Sequence, residues 1–172
     1  MATTTDAATQ AYVAGIQNAH ALEKQATQLI DRQLERLENY PEVAAVLRQH
    51  KVETDAQIER LDGIMSDLGT SSSTLKDLAT MLTGNLAALG HTVVPDEVIK
   101  NHFANAAFEA FEITTYKSLI AMAEATGHQA HVSVYEQSLS EEQSTERKLQ
   151  EMTAALSQKY LSLLAAGEKA DR

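Results

Sequence analysis

The sequence predicts an all-α fold: a four-helix bundle in which one long connection carries a short fifth helix. Apolar residues recur three and four positions apart through four long stretches, the spacing that lines one face of a helix. Proline and glycine, the residues that stop helices, fall between those stretches far more than inside them. The composition is rich in Ala, Leu, Gln, Glu and Thr, with 2 prolines, 7 glycines, 5 tyrosines and 3 phenylalanines, which favours helix over sheet. At 172 residues the chain has room to bury the core of one domain, read here as 1–172 with its core at roughly 6–164.

The first helix is expected over about 6–38, with Thr5 and Asp6 at its N-cap and its end set by Pro41, because the residue before proline avoids helical angles. Pro41 suits the first turn of a second helix, which runs to about 68 and is closed by Gly69 in a left-handed cap. Thr70, Ser71, Ser72 and Ser73 read as loop, followed by a short helix over about 74–89 that Gly90 ends. Pro95, Asp96 and Glu97 open the third long helix, acidic side chains complementing the helix dipole, and it ends near 126. Gly127 turns the chain into a fourth helix reaching about 164, and 167–172 reads as a frayed tail.

The long helices thus form two hairpins with short turns, joined by a crossover over 69–94. Short turns make antiparallel neighbours, and one long crossover between the second and third helices is the ferritin-like connectivity.

Four core stripes follow from the three-and-four spacing. They are Tyr12, Ile16, Ala19, Glu23, Ala26, Ile30, Leu34 and Leu37 on the first helix, and Val46, His50, Glu53, Gln57, Leu61, Ile64 and Leu68 on the second. The third helix gives Val98, Asn101, Asn105, Phe108, Glu112, Tyr116, Leu119 and Ala123, and the fourth Tyr135, Leu139, Glu142, Glu146, Leu149, Met152, Leu156 and Tyr160. Each stripe carries at least one inward glutamate. Glu53 follows Glu23 by 30 residues, as Glu142 follows Glu112, and an offset of 89 places Gln57 on Glu146, so the hairpins read as copies.

Ionised carboxylates in a dry core cost several kcal/mol each and repel one another, so protons or cations must neutralise them. Two divalent ions would balance four carboxylates, as in di-iron and di-manganese bundles, where two helices each give a Glu and two each give a Glu-x-x-His pair. Glu23 and Glu112 fit the single-glutamate roles. Glu53 and Glu142 lack the paired histidine, since Ala56 and Thr145 stand three residues on; His50, Gln57 and Glu146 are the available substitutes. The expected metal set is therefore Glu23, Glu53, Glu112, Glu142, Glu146, His50 and Gln57, holding two iron ions, with Mn or Zn as alternatives. Tyr116 reads as a core tyrosine whose hydroxyl finds a partner. His20, His91, His102, His128 and His131 read as surface or helix-end residues.

Several functions are disfavoured. With 24 acidic against 14 basic residues and a net charge of -10, the chain lacks the basic cluster that nucleic acid requires. No cysteine is present for a thiolate site or nucleophile. No apolar stretch approaches the roughly 18 residues of a membrane span, and the chain reads as soluble and cytoplasmic. Ser71, Ser72 and Ser73 lack a nearby base, which leaves a hydrolase reading unsupported.

Ala21-Leu22-Glu23-Lys24-Gln25, Glu53-Thr54 with Gln57-Ile58-Glu59-Arg60-Leu61, Glu112 with Tyr116 and Leu119, and Glu141-Glu142 with Thr145-Glu146 and Leu149 resemble the YciE/YciF family of bacterial stress-associated ferritin-like proteins. The resemblance covers roughly residues 10–155. It implies a ferritin-like fold, a cytoplasmic homodimer, a link to stress and a di-iron site, carried here by Glu23, Glu53, Gln57, Glu112, Glu142 and Glu146. Two functions are weighed: a di-metal protein that reacts ferrous iron with oxygen or peroxide, as an oxidase or a peroxide consumer, and a metal-free dimer scaffold. A storage cage is a weaker third.

Overall fold

The fold, a computed structural model, is described for residues 4–71 and 96–172. Four long helices run through them: α1 (Thr4–Leu34), α2 (Pro41–Asp67), α3 (Glu97–Ala125) and α4 (Val132–Ala165). A single 3-10 turn, Gln129–His131, leads into α4. The expected short helix at 74–89 and most of the crossover lie outside the described residues.

The start of α2 and the turns after it follow the predicted residues, whereas α1 begins at Thr4, so that Thr5 and Asp6 lie inside it and not at its N-cap. Pro41 occupies the first turn of α2, and Gly69 adopts φ 64°. There Thr70 N donates to Met65 O at 2.9 Å and Gly69 N to Ser66 O at 3.0 Å, satisfying two carbonyls that the helix leaves unpaired. α1 stops at Leu34, about a turn earlier than its apolar spacing predicts; Leu37, beyond the helix, is still buried.

The core consists of two apolar ends around a polar middle. At one end Tyr12, Ile16, Leu61, Met65, Leu119 and Tyr135 pack together. Ile30, Leu47, Val98, Leu149 and Leu156 gather at the other. α1 and α4 therefore run from the first end to the second, while α2 and α3 both run the opposite way. Parallel α2 and α3 are the mark of a bundle with one long crossover, and α1 with α2 and α3 with α4 form its two antiparallel pairs.

Residues 167–172 are not frayed. Tyr40 Oη donates to Ala170 O at 2.6 Å, Asn39 Nδ2 to Lys169 O at 2.7 Å, and Asn39 N to Arg172 O at 2.9 Å. Ala170 is buried. The short α1–α2 turn presents three donors to a passing backbone, and polarity alone does not reveal such a docking strip.

Candidate metal centre

Between the apolar ends, α1 supplies Glu23, α2 His50, Thr54 and Gln57, α3 Glu109 and Glu112, and α4 Glu142 and Thr145, all buried. His50 Nε2 lies 3.1 Å from Glu109 Oε1 and 3.9 Å from Glu142 Oε2. His50 Nδ1 meets Thr145 Oγ1 at 3.3 Å, and Thr54 Oγ1 donates to His50 O at 3.0 Å. One atom each from His50, Glu109, Glu112 and Glu142 can be chosen so that all four lie within 4.8 Å of one another. Ligands about 2.1 Å from one ion stand roughly 3–4 Å apart, so the widest pairs of this cage would draw together by about 1 Å to hold it.

The rim orients the cage. Tyr116 Oη donates to Glu23 Oε1 at 2.5 Å. Gln57 Nε2 donates a short hydrogen bond to Glu142 Oε1 and a second, at 3.1 Å, to Glu141 Oε2. Glu141 is clamped in turn by Arg60, whose two terminal nitrogens reach its oxygens at 2.8 and 2.7 Å. That guanidinium and its neighbours hold Glu141 below the usual carboxylate range, although burial opposes them.

The four core carboxyls behave oppositely. Burial, followed by the charge of Glu142, pushes Glu23 from 4.5 up to about 8. Burial likewise carries Glu109 to about 8, opposed by a hydrogen bond with Glu142. Glu112 and Glu142 rise well above the ordinary range, first through burial; the nearby carboxylates raise them further, while His50 pulls Glu142 back. Glu23 faces Glu112 and Glu109 faces Glu142 closely enough for one proton to join each pair. Apart from those shared protons, Glu23 Oε2, His50 Nε2, Gln57 Oε1, Glu109 Oε2, both oxygens of Glu112 and Glu142 Oε2, with Glu53 Oε2 at the edge, are buried without a hydrogen bond among the described residues. Native interiors rarely leave so many polar atoms unsatisfied in one place. A hard or borderline divalent cation fits this set of oxygens and one imidazole, and this His50, Glu109, Glu112 and Glu142 cluster can hold a metal ion.

Residues 7–162 match the family described as "Domain of unknown function (DUF892)". The chain belongs to the DUF892 family. The DUF892 chain is similar in structure to a protein of Xanthomonas campestris pv. campestris at TM-score 0.77 and 27% identity, covering 90% of this chain and 96% of that one. YcfI of Rhodopseudomonas palustris is similar at TM-score 0.74 and 25% identity, with 87% and 97% covered. The E. coli stress protein YciF shares the fold at TM-score 0.72 and 20% identity, with 86% and 94% covered. Together with the family match, these bundles bear out the resemblance to YciE/YciF-type proteins.

Of the residues that the sequence singled out in this DUF892 chain, Glu23, His50, Gln57, Glu112 and Glu142 converge in the core. Glu146 does not, and Glu53 reaches the cluster only from its rim, its Oε2 buried and 4.0 Å from His50 Nδ1. Both are half-buried at the edge, Glu53 accepting from Gln49 Nε2 at 2.9 Å and Glu146 from Gln150 Nε2 at 2.5 Å. The charges of both still reach Glu109. The buried positions one residue away are Thr54 and Thr145, so the stripes on α2 and α4 are rotated by one residue from the predicted ones. The expectation of one buried glutamate per helix is corrected accordingly: α2 gives a histidine and α3 gives two glutamates.

The 89-residue offset holds for Glu23 and Glu112, both buried, but fails on α2 and α4 for the same reason, because it pairs half-buried Glu53 with fully buried Glu142. Ser138, Glu142, Thr145 and Leu149 instead follow His50, Thr54, Gln57 and Leu61 by 88 residues each, and all eight are buried. Glu109 escaped the sequence reading because the run Asn105, Phe108, Glu112 and the run Asn105, Glu109, Glu112 fit helical spacing equally well; both Phe108 and Glu109 are buried. The Glu109-x-x-Glu112 pair was the pattern that could have exposed it.

His20 and His102, expected near the surface, are buried against Asp62 Oδ1 and Thr153 Oγ1, each at 3.0 Å. His128 and His131 do sit at a helix end, half-buried, and His91 lies outside the described residues. No helix among the described residues is long and apolar enough to cross a membrane.

Proposed function

We propose that this DUF892 protein is a cytoplasmic, homodimeric metalloprotein of stress physiology whose bundle core binds ferrous iron and reacts it with oxygen or peroxide. The single observation carrying this reading is the layer of four buried carboxyls around His50, with buried polar atoms that no donor of the described residues satisfies. His50, Glu109, Glu112 and Glu142 would hold a first ion, and Glu23, reinforced from the edge by Glu53 and Glu146, would supply a second. Two divalent ions neutralise the four carboxylates without shared protons. Mn(II) and Zn(II) suit the same oxygen and imidazole donors. Bound iron would supply electrons to an oxidant.

The chain's own residues perform the rest. Tyr116 and Gln57 hold Glu23 and Glu142 by hydrogen bonds, which fixes two carboxylates before any ion arrives. Leu22, Ala26 and Phe108 pack together beside this layer and keep it dry. The protons on the Glu23–Glu112 and Glu109–Glu142 pairs must leave when a cation binds, so uptake releases protons and strengthens as pH rises.

Calorimetry of the chelator-treated protein with Fe(II) under anaerobic conditions, and with Mn(II) and Zn(II), tests the reading. Saturable uptake with proton release, lost in Glu112→Ala, is expected. No uptake of any of the three ions would refute it.

A second reading, a metal-free dimer scaffold, draws on the same hydrogen bonds: two shared protons with Tyr116 and Gln57 satisfy much of the layer without an ion. Under this reading metal addition leaves the melting temperature unchanged, whereas a native site raises it.

A further inference from the structure

A line of aromatic and imidazole groups leaves the polar layer and ends at the half-buried turn before α4. Tyr116 Oη donates to Glu23, and its ring centroid lies 6.4 Å from that of Tyr135. Tyr135 Oη and Tyr12 Oη are 2.8 Å apart, with ring centroids at 6.5 Å in an edge-on arrangement. Tyr12 Oη is 2.8 Å from His131 Nδ1, and His131 stacks on His128 at 5.5 Å. Tyr12 and Tyr135 are fully buried and Tyr116 nearly so, while both histidines are half-buried.

Packing does not require this arrangement. Phenylalanine would fill the same space, and each of the three phenols buries a polar group that must be satisfied, Tyr135 and Tyr12 by joining hydroxyl to hydroxyl to imidazole and Tyr116 by its bond to Glu23. The hydrogen bonds have a consistent direction. Burial and the neighbouring His128 lower the His131 pKa, which favours a neutral ring whose Nδ1 accepts from Tyr12, and Tyr135 then donates to Tyr12. An oxidised phenol loses its proton at once and needs an acceptor within hydrogen-bonding reach, and His131 Nδ1 is such an acceptor.

We propose that Tyr116, Tyr135 and Tyr12 form an electron relay between the carboxylate centre and the bundle end, with His131 Nδ1 receiving the Tyr12 proton. The relay rests on the reading of the centre as a redox-active metal site, and it assigns that site a peroxide as substrate. Reduction of a peroxide to two waters takes two electrons. Were the metal to supply one, Tyr12 would supply the other through Tyr135 and Tyr116: its O–H bond breaks, an N–H bond forms on His131, and its electron passes to the peroxide-derived oxidant. The protons for the two waters come from solvent. A soluble one-electron reductant acting twice would close the cycle, once to restore Tyr12, whose proton returns from His131, and once to replace the electron taken from the metal. Delivery of the second electron prevents release of a hydroxyl radical into the core.

Two arms test the relay. The chain has no native cysteine, so Ala130→Cys, on the exposed turn, accepts a single ruthenium photo-oxidant. In the metal-free protein a flash should then produce a neutral tyrosyl radical, identified by electron paramagnetic resonance with ring-deuterated tyrosine. Tyr12→Phe should remove it, and His131→Gln should slow its formation by roughly a hundredfold, the scale of a lost general base. In protein loaded with Fe(II) and given hydrogen peroxide, the same radical is expected, displaced to Tyr116 in Tyr135→Phe. A radical unaffected by Tyr12→Phe or by His131→Gln in variants whose urea midpoints match wild type would overturn the relay. If no metal is taken up while the flash-generated, His131-dependent radical persists, the reading of the centre fails and with it the inner end of the relay. Metal uptake and peroxide consumption with no tyrosyl radical would overturn the relay alone.

Discussion

The metal-free protein should lose stability as pH rises through neutrality. Glu23 and Glu109 titrate near 8 in the fold, against an ordinary value of 4.5, because burial disfavours their charged forms. Between those values the native state keeps protons that the unfolded chain has released, and stability then falls with increasing pH by about 1.4 kcal/mol per unit for each group. Over the whole window each group accounts for about 5 kcal/mol, so the two together match the entire stability of an ordinary domain, about 5–15 kcal/mol. His20, His102 and His131 are lowered from 6.5 and act in the opposite sense, but their contribution is nearly complete one unit above that value. The span from pH 7.5 to 8.5 therefore isolates the carboxyls, and a loss of about 1–2 kcal/mol is expected there from the protons held by Glu23 and Glu109. The assay is urea unfolding followed by circular dichroism, on chelator-treated protein at both pH values and fixed ionic strength. Glu109→Gln should remove about half of the difference. Metal-free stability that stays flat or rises over this span would refute a dry, protonated layer, since it would mean that water already reaches the carboxyls.

Glu112→Gln should abolish metal uptake in calorimetry and, in the metal-free protein at pH 8, raise the urea midpoint, because a neutral amide replaces a carboxyl that burial resists ionising. Tyr116→Phe leaves Glu23 Oε1 without its donor, and a cost of about 1–3 kcal/mol is expected in urea unfolding. Tyr40→Phe should cost about 1 kcal/mol and speed proteolysis after residue 166, since Tyr40 Oη holds Ala170 O. Metal at about a thousandfold its dissociation constant should stabilise the wild type by about 4 kcal/mol in thermal unfolding, and not Glu112→Gln.

Much of the bundle was readable from local chemistry. Pro41 and Gly69 act within a few residues of where they stand, and their effect on a helix end does not depend on what packs against it. The same locality made the α1 stripe legible, because Tyr12, Ile16, Ala19, Glu23, Ala26 and Ile30 form one unbroken buried face. On α2 and α4 the competing sets differ by a single residue, a rotation of about 100°. Glu53 and Thr54, or Thr145 and Glu146, are adjacent in sequence and equally compatible with helical spacing. A long glutamate can extend its carboxylate toward water from the edge of a face, whereas a threonine hydroxyl can bond to its own helix and remain inside, as Thr54 does with His50 O.

The sequence by itself determined a helical chain, the turns at Pro41, Gly69 and Gly127 that separate its helices, the crossover connectivity, and an acidic interior that needs neutralising. Each of these follows from spacing and composition within one helix or one turn. The tertiary structure alone decided which acids meet: it brought Glu109 into the cage, left Glu53 and Glu146 at the edge, placed His50 between Glu109 and Glu142, and docked residues 167–172 on the α1–α2 turn. Those outcomes depend on how far each helix rotates about its own axis when four of them pack, a quantity set by the fit of side chains from all the helices at once and encoded in none of them separately.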